Sequence, residues 1–146
     1  MKNETALNPG IIKFIQQHHL LTLSTTENNI SWCASCFYAF DAEKLQLIIT
    51  SDLETRHARE ASQQPLVSGT IALETAVIGK IRGIQFSGSI YQPDENELKL
   101  AKTTYLKKFP FAILMKTHIW IILPEMIKFT DNRLGFGKKI IWNKTT

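Results

Sequence analysis

Thr55, Arg56 and His57 place a hydroxyl, a permanently charged guanidinium and an imidazole side by side. They follow the compact apolar run Leu45–Thr50 and a short polar loop, Ser51-Asp52-Leu53-Glu54. Thr55 is suited to cap a helix that begins at Arg56, and Pro65 must end that helix soon afterwards. The hydroxyl, the guanidinium and the free N–H groups of a first helical turn would then meet in one place. That combination holds a phosphate or another anion. The plainer reading makes Thr55 a helix cap and Arg56 a solvated first-turn residue.

Trp32-Cys33-Ala34-Ser35-Cys36 has the spacing of a redox CxxC motif. In thiol oxidoreductases that motif opens a helix, whose N-terminus lowers the thiol pKa. Here Phe37-Tyr38-Ala39-Phe40 follows it and reads as strand. Strand side chains three apart point to opposite faces, roughly 10 Å apart along the chain at ~3.3 Å per residue. A disulfide needs Cα atoms within about 7 Å. The two cysteines are therefore expected as separate strand residues. His18, His19, His57 and His118 have no finger-like spacing with them, so no metal site is expected. No GxSxG elbow, GxGxxG loop or P-loop occurs.

The elements that must position these groups are short. Asn8 can cap a helix with Pro9 in its first turn and Ile11, Ile12 and Ile15 on one face. Leu20–Thr25 alternates as a strand, and the turn Glu27-Asn28-Asn29 joins it to a strand from Ile30 in a hairpin. The polar turn Asp41–Lys44 leads into the strand Leu45–Thr50. Leu66–Glu74 and Ile81–Ile90 read as strands, linked by Thr75–Lys80. Asp94 and Glu97 form a capping box for a helix with Leu98, Ala101 and Tyr105 on one face, ending before Pro110. Ile119–Leu123 and Met126–Thr130 are expected as two strands split by Pro124. Asp131-Asn132 turns the chain, and Lys139–Asn143 is a last strand. Seven or eight short strands joined by turns, with about three peripheral helices, predict a mainly β, antiparallel barrel in a single domain spanning residues 1–146.

The charge is unevenly placed. Of 17 Lys and Arg residues, 10 fall after position 98, against only two acids, Glu125 and Asp131. A basic C-terminal third suits a small anionic ligand or nucleic acid. The interleaved aromatics that single-stranded nucleic acid favours are missing, so nucleic acid is unlikely as a partner. No apolar run approaches the ~20 residues of a membrane span. MKNETALNPG contains no apolar signal core, which gives the expectation of a cytoplasmic protein without a membrane partner.

Asp52-Leu53-Glu54-Thr55-Arg56-His57-Ala58, followed by Gln64-Pro65-Leu66-Val67, resembles the strand, phosphate loop and helix of the pyridoxamine 5′-phosphate oxidase-like, FMN-binding split-barrel proteins. Arg82-Gly83-Ile84-Gln85-Phe86-Ser87-Gly88 resembles that superfamily's barrel strand ending in Gly. Trp120, Leu123-Pro124-Glu125, Phe129-Thr130-Asp131-Asn132 and Gly135-Phe136-Gly137-Lys138 resemble its closing strands. The likeness runs from about Leu20 to Trp142 and is strongest to a small, uncharacterised bacterial branch.

The resemblance implies a homodimer of split barrels with FMN in a groove at the interface. It implies a flavin phosphate at Arg56 and His57, with Thr50, Ser51 and Thr55 nearby. The isoalloxazine would lie along the strand from Cys33 through Ser35 to Tyr38. Lys138 or Lys139 would fall where the oxidase places a basic residue for its substrate. The chain departs from the oxidase at both ends of the first flavin strand, where Cys33 and Tyr38 replace basic residues. Gly83 stands for a glutamine, and His57 for a lysine of the phosphate pair. The function implied is an FMN-binding protein, read as a flavin-dependent oxidoreductase acting on a small molecule. The alternative is a non-catalytic module of the same fold holding a flavin, haem or another anionic ligand.

Overall fold

A computed structural model describes residues 6–114 and 116–144 of the chain. The N-terminal residues Met1–Thr5, part of the segment read above for a signal core, lie outside them. Among the described residues there are seven strands and three α-helices. In order these are α1 (Pro9–Gln17), β1 (Leu20–Glu27), β2 (Ile30–Asp41), β3 (Gln46–Ser51), α2 (Arg56–Gln63), β4 (Leu66–Ala72), β5 (Arg82–Tyr91), α3 (Glu95–Lys108), β6 (His118–Asp131) and β7 (Lys139–Asn143). All strand pairings are antiparallel, in the order β3-β2-β1-β4-β5-β6-β7, and β3 also pairs with β6. Six strands thus close a barrel, and β7 extends one edge. No described helix is long and apolar enough to cross a membrane.

Local chemistry sets the turns. Asn28 and Asn29 have φ of 51° and 63°, the left-handed pair that asparagine tolerates in a two-residue hairpin. Asp41 Oδ1 accepts from the N–H groups of Glu43 and Lys44. Leu45, expected to open β3, has φ of 54° and belongs to this turn.

The two strands expected around Pro124 are one. Pro124 and Glu125 sit where the free edge of β6 changes partner: Ile122 and earlier residues pair with β3, Met126 and later ones with β7. A residue without an N–H is tolerated at such a break in the ladder. On the opposite edge Ser87 pairs with Met126 and Gly88 with Pro124, so Glu125 is the extra residue of a bulge. Gly88 is required there, because a Cβ would lie 2.0 Å from the Leu123 carbonyl oxygen.

Inward residues alternate along each strand and build the main core: Leu21 and Leu23, Tyr38, Leu47 and Ile49, Val67 and Ile71, Ile84 and Phe86, Ile122, Ile127 and Phe129. Helix α1 plugs one end of the barrel with Ile11, Phe14 and Ile15. Its last carbonyls are bound by side chains: Tyr38 Oη donates to Ile15 O at 2.6 Å, and Lys108 Nζ to His18 O at 2.6 Å. Helix α2 packs at the other end through Ala58 and Ala61. Helix α3 covers Ala39, Ile48, Ile119 and Ile121 on the outside with Ala101 and Tyr105. Both cysteines are free, Cys33 exposed and Cys36 buried, as their opposite strand faces require.

Two features of the sheet bear on function. β1 pairs with Ile30–Phe37 of β2, whereas β3 pairs only with Tyr38–Asp41. The edge of β2 over residues 30–37 therefore carries no strand partner among the described residues. In addition, the outward positions of β1, β2, β4 and β5 carry no charged side chain from Leu20 to Thr26, Ser31 to Phe37, Leu66 to Ala72 and Gly83 to Ser89. Cys33, Ser24, Ser68 and Ser87 form one continuous row across the four strands.

Candidate anion site at the start of helix α2

Strand β3 ends at Ser51, and the loop Asp52–Glu54 turns directly into α2. Thr55 caps the helix: its Oγ1 accepts from Ala58 N at 3.2 Å and donates to Asp52 O at 2.9 Å. The i→i−4 pattern gives Arg56 and His57 N–H no partner inside the helix. His57 Nε2 lies 2.5 Å from Ser51 Oγ and 3.3 Å from Thr55 Oγ1, and the two hydroxyls are 3.2 Å apart. Ser51, Thr55 and His57 are thus one polar cluster at a helix N-terminus. Burial holds His57 below its ordinary pKa of 6.5, against an opposing pull from Glu60. The ring is therefore mostly neutral near pH 7.

Arg56 leaves this cluster for the neighbouring face. Its Nε donates to Glu60 Oε1 at 2.8 Å, and its guanidinium lies 4.2 Å over the Trp32 ring. Glu60 is only 2% exposed and takes a second bond, from Thr25 Oγ1 at 2.7 Å. These bonds hold its carboxyl below the usual range, the Arg56 bond most strongly. Arg56, Arg59 and Glu60 line a cleft of about 520 Å³ beside the cluster. Glu60, Thr25 and Trp32 were not picked out from the sequence. The i,i+4 spacing of Arg56 and Glu60 was the one available sign of the pair.

The remaining candidate residues divide. Cys33 and Ser35 are exposed on β2, beside its unpaired edge. Tyr38 N donates toward β1, to His19 O, so alternation turns the main-chain groups of Cys33 and Ser35 to the open edge. Thr50 Oγ1 is 3.2 Å from Tyr105 Oη, one residue from the cluster. Tyr38 is fully buried, with its hydroxyl committed to Ile15 O and its pKa raised by burial, so its side chain belongs to the core rather than to a ligand face. Lys138 is exposed at the opposite end of the barrel. Its O accepts from Asp131 N, whereas the cluster lies beside His118, at the other end of β6. One chain does not bring Lys138 to the α2 cluster.

The donor set suits an anion. The Ser51 hydroxyl, two N–H groups and the imidazole can face phosphate oxygens, with Thr55 Oγ1 capping the helix between them, and a flat aromatic group would find the open edge of β2 nearby. Among the described residues no group of three or more His, Cys, Asp or Glu is placed to hold a metal ion.

Solved structures share this architecture. A haem-binding protein from Mycobacterium smegmatis superposes with a TM-score of 0.76 at 16% identity over 94% of this chain, which spans 59% of that protein's length. A FAD-binding protein from Mesorhizobium loti gives 0.68 at 14% identity, covering 83% of this chain and 92% of that one. HutZ, the haem storage protein of Vibrio cholerae, gives 0.62 at 17% identity, covering 82% and 90%. The fold is therefore the antiparallel split barrel. No family model matches the sequence. Full-length relatives do: a UPF0306 protein of Photorhabdus laumondii is 40% identical over 134 residues, 92% of this chain and 94% of its own. The UPF0306 protein YhbP of Escherichia fergusonii is 38% identical over 137 residues, 94% and 93% of the two chains. The chain belongs to the UPF0306 family.

Proposed function

We propose that the protein binds FMN as a homodimer, with the flavin phosphate at Ser51, Thr55 and His57 and the ring along the open edge of β2. The observation that carries this reading is the convergence of Ser51 Oγ, Thr55 Oγ1 and His57 Nε2 within 3.3 Å at the first turn of α2. A helix N-terminus with two hydroxyls and an imidazole binds a phosphate with little rearrangement. Arg56 stands next to it and supplies positive potential, although its Nε is already committed to Glu60. Cys33 and Ser35 offer main-chain groups and small side chains where a flat ring would lie. Bound flavin would supply the redox chemistry. The chain's own residues bind and orient it, and the polar cluster contains no acid positioned to donate a proton.

The charge-free outer face of β1, β2, β4 and β5 supports the dimer. Depletion of charge marks the centre of protein interfaces. For Lys138 or Lys139 to meet a ligand at the α2 cluster, it would have to come from the second copy. Binding without catalysis, of a flavin, haem or another anionic ligand, is the second reading. It draws on the haem- and FAD-binding neighbours.

The test is a titration of purified protein with FMN and with riboflavin, followed by flavin fluorescence. Saturable quenching by FMN, with weaker binding of riboflavin, supports the reading. Equal binding of the two removes the phosphate site, and haem binding without flavin binding selects the second reading.

A further inference from the structure

At the α1 end of the barrel lies a cleft of about 530 Å³ whose walls carry three cations, Lys13, Arg82 and Arg133, and one carboxylate, Asp131. It is separated from the α2 cluster by the length of β6, about 40 Å of extended chain at ~3.3 Å per residue. Asp131 is 4% exposed and takes three hydrogen bonds from Arg133. Its Oδ1 accepts from Arg133 N and Nε at 3.0 Å each, and its Oδ2 from Nη2 at 2.9 Å. Arg82 is held differently. Its guanidinium sits 5.6 Å over the Phe14 ring, and its buried Nε has no hydrogen-bond partner among the described residues. Buried polar groups are nearly always paired, and a charged donor more so. Asp131 accepts its hydrogen bonds from Arg133 and meets Arg82 only through charge. The cleft therefore combines surplus positive charge, an orphaned charged donor and an apolar wall of Phe14 and Phe129.

We propose that this cleft is a second ligand site, for a small organic anion: a carboxylate or phosphate carried on an apolar body. The anionic group bonds Arg82 and Lys13, and the body lies against Phe14 and Phe129. Arg133 stays with Asp131 and sets the rim.

The full chain is titrated with 8-anilinonaphthalene-1-sulfonate, an anionic aromatic fluorophore, and the bound dye is challenged with decanoate and with decanol. A class of sites is expected that decanoate displaces and that decanol displaces at least 10-fold less well. Arg82→Gln and Lys13→Gln should each weaken the dye at least 5-fold, while Lys102→Gln, on the exposed face of α3, leaves it unchanged. Lys13 is exposed, so its variant keeps the test decisive if Arg82→Gln does not fold. Dye affinity unchanged in Lys13→Gln, or decanol displacing as well as decanoate, overturns the proposal.

Discussion

His57 Nε2 and Ser51 Oγ lie 2.5 Å apart, across the loop that joins the last residue of β3 to the first turn of α2. The contact ties the imidazole to the sheet, and its burial shifts the ring below its usual pKa of 6.5. Near pH 7 His57 would therefore meet a bound phosphate as a neutral ring. It becomes a cation only at lower pH, or when an anion raises its pKa.

The pH dependence follows with a definite sign. The folded pKa lies below the unfolded value, so the unfolded chain protonates first. His57's contribution to stability is present above pH 6.5 and is lost as pH falls from there through the folded value. FMN affinity should move the opposite way, rising relative to His57→Gln as pH falls below 6.5. The comparison with the variant removes the titration of the phosphate itself, whose second pKa is about 6. Parallel FMN titrations of both proteins between pH 7.5 and 5.5, with curves that stay superimposable, would rule out His57 as a phosphate ligand.

Arg56→Ala removes positive potential beside the phosphate rather than a direct contact, so it should weaken FMN by up to roughly 1 kcal/mol and leave riboflavin about unchanged. The same change strips Glu60 of its main partner, so thermal stability should fall as well. The ratio of FMN to riboflavin affinity separates the two effects. A ratio equal to wild type would make Arg56 a structural partner of Glu60 and Trp32 alone.

Sedimentation at micromolar concentration should show a dimer. Ser68→Lys places a charge in the row Cys33–Ser24–Ser68–Ser87 and should shift the protein toward monomer without unfolding it, since Ser68 points outward. A monomeric wild type, or a variant as dimeric as wild type, would count against this face as the interface.

Tyr38→Phe removes the hydroxyl that binds Ile15 O and leaves a buried carbonyl short of its donor. The cost is expected at about 1–3 kcal/mol, a Tm lower by roughly 3–10 °C. FMN binding should be unaffected, because the side chain is sealed in the core. Differential scanning calorimetry with an FMN titration on the same sample checks both halves.

Gly88→Ala drives a Cβ to 2.0 Å from Leu123 O, where the strand cannot move away without losing the bulge at Glu125. A loss at the top of the overpacking range, about 3 kcal/mol or more, is expected. Urea denaturation measures it, and a variant as stable as wild type would mean the bulge is free to relax.

Alternation, turn chemistry and caps are written locally, and they alone determined the antiparallel, turn-linked strands, the hairpin at Asn28-Asn29, the caps at Asn8, Thr55 and Asp94, and the separation of Cys33 from Cys36. The Thr55 cap with His57 in the first turn was also legible, whereas Ser51 entered only through the family resemblance. Tertiary structure decided what depends on distant partners. Pro124 stays within one strand because β3 and β7 divide that edge of β6 between them, and no local pattern encodes where two other strands stop. Arg56 turns to Glu60 because Thr25 and Trp32, from the hairpin, complete a buried site for the ion pair. Tyr38 joins the core because α1 presents an unpaired carbonyl above it. In each case side-chain direction is set by a partner brought near through closure of the barrel, and sequence spacing carries no record of that closure.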